Sequence, residues 1–370
     1  MTGKEEEKHN LQQAFENKKI GLALSGGGYR AAVFHLGMLS YMAENGLLER
    51  VAHISTVSGG SIVMGLVYRL NGFRFPSSEE YLQNVHTQAI AFLQKHTLLE
   101  DNMMLAATKS SASNGLLALN KKLLQRLKGK TWGLDKDIQE LEDTPIWTIN
   151  ATTGETGKSW RFSKEKMGDY VIGYMKHPHV TLAQAISASA GFPVAIGPLR
   201  LMLNKYHYKT KDQYIVGTGD FPRETVHLYD GGLYDNLGTE VFFGSNITKF
   251  SDSIDFLIVS DASKPFDIKK DMASLWWFGK FNQISDISTE QIRSLRLRMF
   301  YNLIKRENQP DLGLHIRMGN SELGMEEEAK CAKKIDTDLK VFTKRETNCL
   351  INNGYDASSK SFSNYVKCNE

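Results

Sequence analysis

An α/β fold with a mostly parallel sheet, covered by helices on both faces, is predicted from three observations. Short apolar or β-branched runs at Ile20–Leu24, Val51–Val57, 146–152, 226–229 and 254–260 alternate with helical stretches. Two of these runs break into glycine-rich turns that lead directly into further helical segments. No internal repeat, low-complexity tract or Pro/Gly/Ser linker divides the chain. Residues 18–370 are therefore read as one domain behind a polar segment, residues 1–17.

The elements follow in order. Ile20–Leu24 is apolar throughout and suits a buried strand. A helix over residues 29–45 presents Val33, Leu36, Gly37, Leu39 and Ser40 as a small, apolar packing face, with Gly46 as its C-terminal cap. Val51–Val57 is β-branched and strand-like, and residues 61–70 form the next helix. Residues 77–142 are helix-rich and poor in Gly and Pro, which marks a helical insertion or cap. Strands at 146–152 and 160–163 precede a helix over 181–190, stopped by Gly191-Phe192-Pro193. Residues 203–224, polar and aromatic, read as a surface hairpin. Ile292, Leu295, Met299 and Leu303 recur at helical spacing within 289–306 and are expected to pack on the sheet.

Composition narrows the function classes. A hydrophobic content of 41% and a charged content of 24% are ordinary for a globular protein with a large core. A net charge of +3 is too small to argue for a nucleic-acid partner. Local basic clusters (Lys121, Lys122 and Lys130; Arg293, Arg296 and Arg298) read first as solvated helix faces and second as attraction to an anionic lipid surface. The three cysteines, Cys331, Cys349 and Cys368, suggest neither a disulfide framework nor metal-ligand spacing, which fits a reducing, cytoplasmic compartment. The first ten residues are charged and lack an apolar core, so no cleavable signal peptide is expected. No apolar run reaches bilayer-spanning length, which leaves a soluble or peripherally bound protein.

The chemistry sits at the strand ends. A serine hydroxyl needs a base, and a geometry that exposes it, before it acts as a nucleophile. Ser58 follows a strand, precedes a helix and is flanked by Gly59 and Gly60, small enough for strand and helix to cross closely. Thr56 stands where Gly-x-Ser-x-Gly has its first glycine. The competing reading is a plain glycine turn with the serine as a helix cap.

Ser25-Gly26-Gly27-Gly28-Tyr29-Arg30 ends the first strand and opens a helix. Gly26, Gly27 and Gly28 offer unobstructed N–H groups to the negative charge that develops on a carbonyl oxygen in acyl transfer. Arg30 would brace this loop or meet a phosphate. A nucleotide loop is excluded on specifics: no Gly-Lys-Ser/Thr follows, and the spacing is not Gly-x-Gly-x-x-Gly.

Ten histidines are present, but none stands at a convincing late strand end; His35 and His53 fall within a helix and a strand. Asp230 in Leu228-Tyr229-Asp230-Gly231-Gly232 ends a strand at a tight turn. Burial would raise its pKa enough to let it take the serine proton directly. A simple Asp-Gly-Gly turn is the bland alternative. Asp235-Asn236 reads as a cap or turn.

These segments, in this order and with Ala188-Ser189-Ala190-Gly191-Phe192-Pro193 between serine and aspartate, resemble the patatin-like phospholipases. The resemblance covers roughly residues 18–306, and Asn353-Gly354-Tyr355 is similar to the family's tail. Ser25 and Ala31 depart from the plant patatin pattern, and Ser-Gly-Gly-Gly-Tyr-Arg is similar to the related cytosolic phospholipases A of animals. The resemblance implies a three-layer α/β/α fold and a Ser-Asp dyad without histidine. Ser58 would be the nucleophile, Asp230 the base, and Gly26, Gly27 and Gly28 the oxyanion hole, with Arg30 and Gly59 in support. It also implies fatty-acyl esters of phospholipids or neutral lipids as substrates, with no metal or cofactor in the chemistry. An esterase or transacylase on soluble esters, and a silent lipid-binding protein on the same fold, are the alternatives.

Overall fold

A computed structural model describes residues 3–99, 112–193, 196–203, 214–216, 224–243, 248–264, 277–305, 311–320, 326–337 and 339–367. Five parallel strands form the centre of the sheet in the order β11 (Gly313–Arg317), β10 (Phe256–Asp261), β1 (Ile20–Leu24), β2 (Val51–Val57) and β3 (Ile146–Thr153). An antiparallel arm continues from β3 through β4 (Ser159–Phe162), β5 (Lys166–Asp169), β6 (Gly173–Lys176) and β8 (Tyr214–Val216). Strand β9 (Thr225–Asp230) pairs with β3 and with β7 (Leu199–Met202).

Both faces of the parallel strands are apolar, and alternation assigns them to two layers. Leu22, Leu24, Phe256 and Ile258 join the core beneath α1 (Gly3–Phe15), α2 (Gly28–Glu44) and the C-terminal helix α11 (Lys344–Lys367). Ala23, Leu257 and Val259 face the other way, against Phe300 and Ile304 of α9 (Trp277–Ile304). This is the expected three-layer α/β/α arrangement. Helices α2 and α11 cross backbone to backbone, since a Cβ on Gly37 would overlap Ile351 O and one on Gly354 would overlap Phe34 O. Helix α2 ends as expected at Gly46, whose φ of +68° lets the Leu47 N–H return to Met42 O.

The region read as a helical insertion contains α4 (Ser78–Glu80), a π turn over Tyr81–Val85, α5 (His86–Lys95) and α6 (Ala112–Lys128); residues 100–111 lie outside the described residues. Lys121 and Lys122 are exposed on α6, a solvated face. Helix α7 (Leu182–Ser189) begins at a capping box made by Thr181 and Gln184. Most of the expected hairpin at 203–224 lies outside the described residues; its middle is β8, paired to β6. No helix among the described residues is long and apolar enough to cross a membrane.

Three expectations are corrected. The inner face of α9 is formed by Arg293, Leu297, Phe300 and Ile304, joined by Leu303 of the expected stripe, whereas Leu295 of that stripe is 54% exposed. The rotation has a cause: Arg293 is turned inward by an ion pair with Asp261, and an apolar-periodicity count leaves an arginine on the outside. Arg293 and Arg296 are accordingly not a solvated face; Arg296 pairs with Glu240 and covers the Tyr234 ring, and Arg298 alone of the three is exposed. Finally, Cys331 and Cys349 form a disulfide with Cα atoms 6.1 Å apart. The hairpin of α10 (Glu326–Lys334) and α11 brings together cysteines that look unrelated in sequence. The cysteine pattern therefore gives no support to a reducing compartment.

Candidate active site

Strand register builds the site. Along one edge of β3, β2 pairs with residues up to Asn150 (opposite Val57), and β9 takes over at Ala151 (opposite Asp230). Strand β4 occupies the other edge at both Asn150 and Ala151, so β2 and β9 share a single edge and meet end to end. The residue that leaves β2 is Ser58, and the residue that ends β9 is Asp230. Across this junction the Ser58 hydroxyl acts on the Asp230 carboxylate, favouring its charged form.

Ser58 has φ +49° and ψ −112°, a conformation that non-glycine residues avoid. It joins β2 to α3 (Gly59–Leu70) in a sharp elbow, held by contacts only glycine permits. A Cβ on Gly59 would overlap the Gly28 carbonyl oxygen and lie 2.9 Å from Gly28 N; one on Gly60 would lie 2.6 Å from Leu24 O. Thr56 fits because it points into a polar pocket. Its Oγ1 accepts from Ser61 Oγ (2.8 Å) and from Trp147 Nε1 (3.0 Å).

The Asp230 carboxylate is buried and accepts the Gly232 N–H at 2.8 Å. Burial lifts its pKa to about 6, against the opposing pull of that N–H and the Ser58 hydroxyl. Among the described residues no histidine competes for the role. The His35 ring is wholly buried and its pKa falls to about 4, chiefly through desolvation. Its Nε2–H donates to Ser25 O, since a carbonyl only accepts, and Nδ1 then accepts from Ser260 Oγ. His53 is similarly held by Ser253 and Thr148. His227 lies on β9, but strand alternation puts it on the face opposite Asp230.

The glycine row lies beside the elbow because β1 neighbours β2, with Leu24 opposite Thr56. A Cβ on Gly26 would lie 3.1 Å from Ser58 Cβ and overlap Asn236 Oδ1. Gly26 departs from its expected role: its N–H donates to Asn236 O at 3.0 Å, so that donor is committed to holding the loop. Gly27 (φ +140°) and Gly28 (φ +59°) make the turn into α2, and among the described residues their N–H groups donate to no backbone carbonyl. Such groups are the unpaired donors of a helix start.

Arg30 is completely buried. Its Nη2 donates to Ala262 O (3.0 Å) and its Nη1 to Ile335 O (3.3 Å). Desolvation brings its pKa down to about 10, opposed by Asp261 and then Asp336. Of the two readings of this arginine, the brace is the one in the structure. Asn236, Ser61 and Ser189 also touch the site's framework; a lone serine or asparagine outside a glycine turn gives no sequence signal of such a role. Asp235 behaves as the expected turn, accepting from Leu237 N and Glu240 N. No group of three or more His, Cys, Asp or Glu among the described residues is disposed to hold a metal.

The profile of the patatin-like phospholipase family matches residues 22–243, the stretch that carries every one of these elements from β1 to the turn after Asp230. This chain belongs to the patatin-like phospholipase family. A yeast relative, described as "Putative meiotic phospholipase SPO1" of Saccharomyces cerevisiae, is 50% identical over 50 residues, which span 13% of this chain and 8% of that one. Among solved structures, human GIVD cytosolic phospholipase A2 superposes with a TM-score of 0.55 at 12% identity, covering 98% of this chain and 62% of the human one. That likeness is one of fold. VipD from Legionella pneumophila aligns at a TM-score of 0.40 and 14% identity over 94% of this chain and 66% of its own, too slight to carry weight. This patatin-like chain thus spans under two thirds of the human protein's length.

Proposed function

We propose that the chain is a lipid acyl hydrolase that cleaves fatty-acyl esters, of the phospholipase A or lysophospholipase type, through a Ser58–Asp230 dyad. The observation that carries this reading is the end-to-end meeting of β2 and β9 on one edge of β3, which sets Ser58 beside a buried carboxylate whose pKa is lifted to about 6, near working pH. Ser58 Oγ attacks the acyl carbon while its proton passes to Asp230. Negative charge on the carbonyl oxygen is met by the N–H groups of Gly27 and Gly28, at the start of a helix that favours it. Collapse of the tetrahedral species breaks the ester C–O bond, and Asp230 returns the proton to the leaving alkoxide. Water then attacks the acyl-Ser58 carbon, with Asp230 again taking and returning the proton, which releases the fatty acid.

A lipid surface is the partner we propose. Arg293 lies level with Asp261 at the C-terminal end of β10, so residues 277–292 of α9 run past the strand end toward the side where Ser58 lies, for roughly 24 Å at 1.5 Å per residue. This part of the helix exposes Ile284 (59%) and Ile287 (43%). The Trp276-Trp277-Phe278 run, which suits an interface or the core equally, has side chains outside the described residues.

The test is turnover of mixed phospholipid vesicles and of short p-nitrophenyl esters by wild type, Ser58→Ala and Asp230→Asn. Both variants are expected to lose at least about a thousandfold in kcat. Wild-type activity retained in either would overturn the dyad. Turnover of soluble esters alone would point to an esterase, and vesicle binding without turnover to a silent lipid binder.

A further inference from the structure

We propose that Ser189 is a positioning residue for the nucleophile, through a hydroxyl that holds the Ser58 backbone in its strained conformation. This rests on the reading of Ser58 as nucleophile. The Ser58 N–H donates to Ser189 Oγ at 2.9 Å, Ser189 Oγ and Ser61 Oγ are 2.9 Å apart, and Ser61 Oγ donates to Thr56 Oγ1 at 2.8 Å. Trp147 Nε1 closes the chain on the same Thr56 oxygen. Ser61, Ser189 and Thr56 are fully buried, so water does not substitute for any link.

The protons that link the Ser58 amide to Thr56 Oγ1 each have one place. An amide N–H and an indole N–H only donate, and each hydroxyl carries a single proton. Ser61 spends its proton on Thr56 and therefore accepts from Ser189. Ser189 spends its own proton on Ser61 and keeps a lone pair for the Ser58 N–H. The hydrogen bonds all run one way, from the nucleophile's amide to Thr56.

The consequence falls on the elbow. A buried amide without an acceptor is destabilising, and so is a non-glycine residue at positive φ. Loss of the Ser189 hydroxyl adds the first to the second. Rotation of the Val57–Ser58 peptide would relieve both and carry Oγ off line from Asp230. The same segment holds the base: Gly191 O accepts the Asp230 N–H at 3.0 Å, and Ser189 O accepts the Gly231 N–H at 3.3 Å. The end of α7 is thus a common anchor for both halves of the proposed dyad.

The test compares wild type with Ser189→Ala, Ser61→Ala and Ser187→Ala. The last removes a buried hydroxyl on the same helix that bonds Asn120 and not the elbow. The readouts are the second-order rate of labelling by a fluorophosphonate, detected as a mass shift on residue 58, and kcat and KM on a p-nitrophenyl ester. Ser189→Ala is expected to slow labelling and kcat roughly ten- to a hundredfold with KM within about twofold. Ser61→Ala should slow both by a smaller factor, at least about threefold, and Ser187→Ala should leave both within about twofold. Labelling of Ser189→Ala at the wild-type rate, or equal slowing by Ser187→Ala, would overturn the proposal. If Ser189→Ala does not fold, Ser61→Ala decides, and a wild-type rate there overturns it. Activity surviving in Ser58→Ala would instead sink the nucleophile assignment itself.

Discussion

The role proposed for Asp230 places chemistry and stability in opposition. Its carboxyl has an ordinary pKa of 3.8 in the unfolded chain and about 6 in the fold. The folded state therefore prefers the protonated acid, and the stability from burying it is full below 3.8 and lost as pH rises through about 6. At neutral pH the buried charge costs about 3 kcal/mol. Asp230→Asn keeps an acceptor for the Gly232 N–H and removes that cost, so the variant is expected to be inactive yet more stable by up to about 3 kcal/mol. Urea unfolding at pH 7 and again at pH 4 checks this, because the gain must vanish at the lower pH. In the proposed dyad the same ionisation would govern rate. We expect kcat/KM on a soluble ester to be flat above about pH 6 and to fall tenfold per pH unit below it. A profile level to pH 4.5 would exclude Asp230 as the base. Gly59→Ala sets a Cβ into the Gly28 peptide, and its labelling by a fluorophosphonate should fall at least about a hundredfold.

At the scale of elements, the motifs that were legible in sequence are those whose chemistry and local structure coincide. Strand-forming runs that break into glycines identified Ser58, Asp230 and the Gly26–Gly28 turn, because close backbone packing demands glycine there. The pairing of Ser58 with Asp230 was not legible without the family resemblance, since it depends on two strands sharing one edge of a third. Gly26 looked equivalent to its two neighbours, and only the tertiary position of Asn236 removes it as a donor. Of the antiparallel arm, β4 was legible as the expected strand at 160–163, whereas β5 and β6, with four residues each, are too short for a period to emerge. Arg293 failed for a different reason. Burial raises the Asp261 carboxyl, but hydrogen bonding and charge from His315, then Arg293, hold it well below the usual carboxylate range. Arg293→Ala would leave that buried carboxylate without its arginine partner, and a loss of about 3–5 kcal/mol is expected in urea unfolding. Arg293→Met with Asp261→Asn should recover most of it.

Across the whole molecule, the layers separate duties. Helices α1, α2 and α11 bury one face of the parallel strands and support the glycine turn, while α9 buries the other face and continues past the strand ends. Replacing Ile284 and Ile287 with Asp tests whether that projecting stretch meets lipid. Partition onto phospholipid vesicles should drop at least about fivefold, with turnover of a soluble ester unchanged. Equal partition would free α9 of this role.

The shared edge of β3 has a kinetic meaning as well. Ser58 and its elbow belong to the first strands and helices of the chain, whereas Asp230 reaches its place only when β9 has paired with residues far behind it in sequence. Such long-range pairings close late in refolding, because their loop entropy is paid before their contacts form. The moment residue 58 becomes reactive during refolding should therefore coincide with the docking of β9, and a chemical label would time that single event inside a large α/β domain.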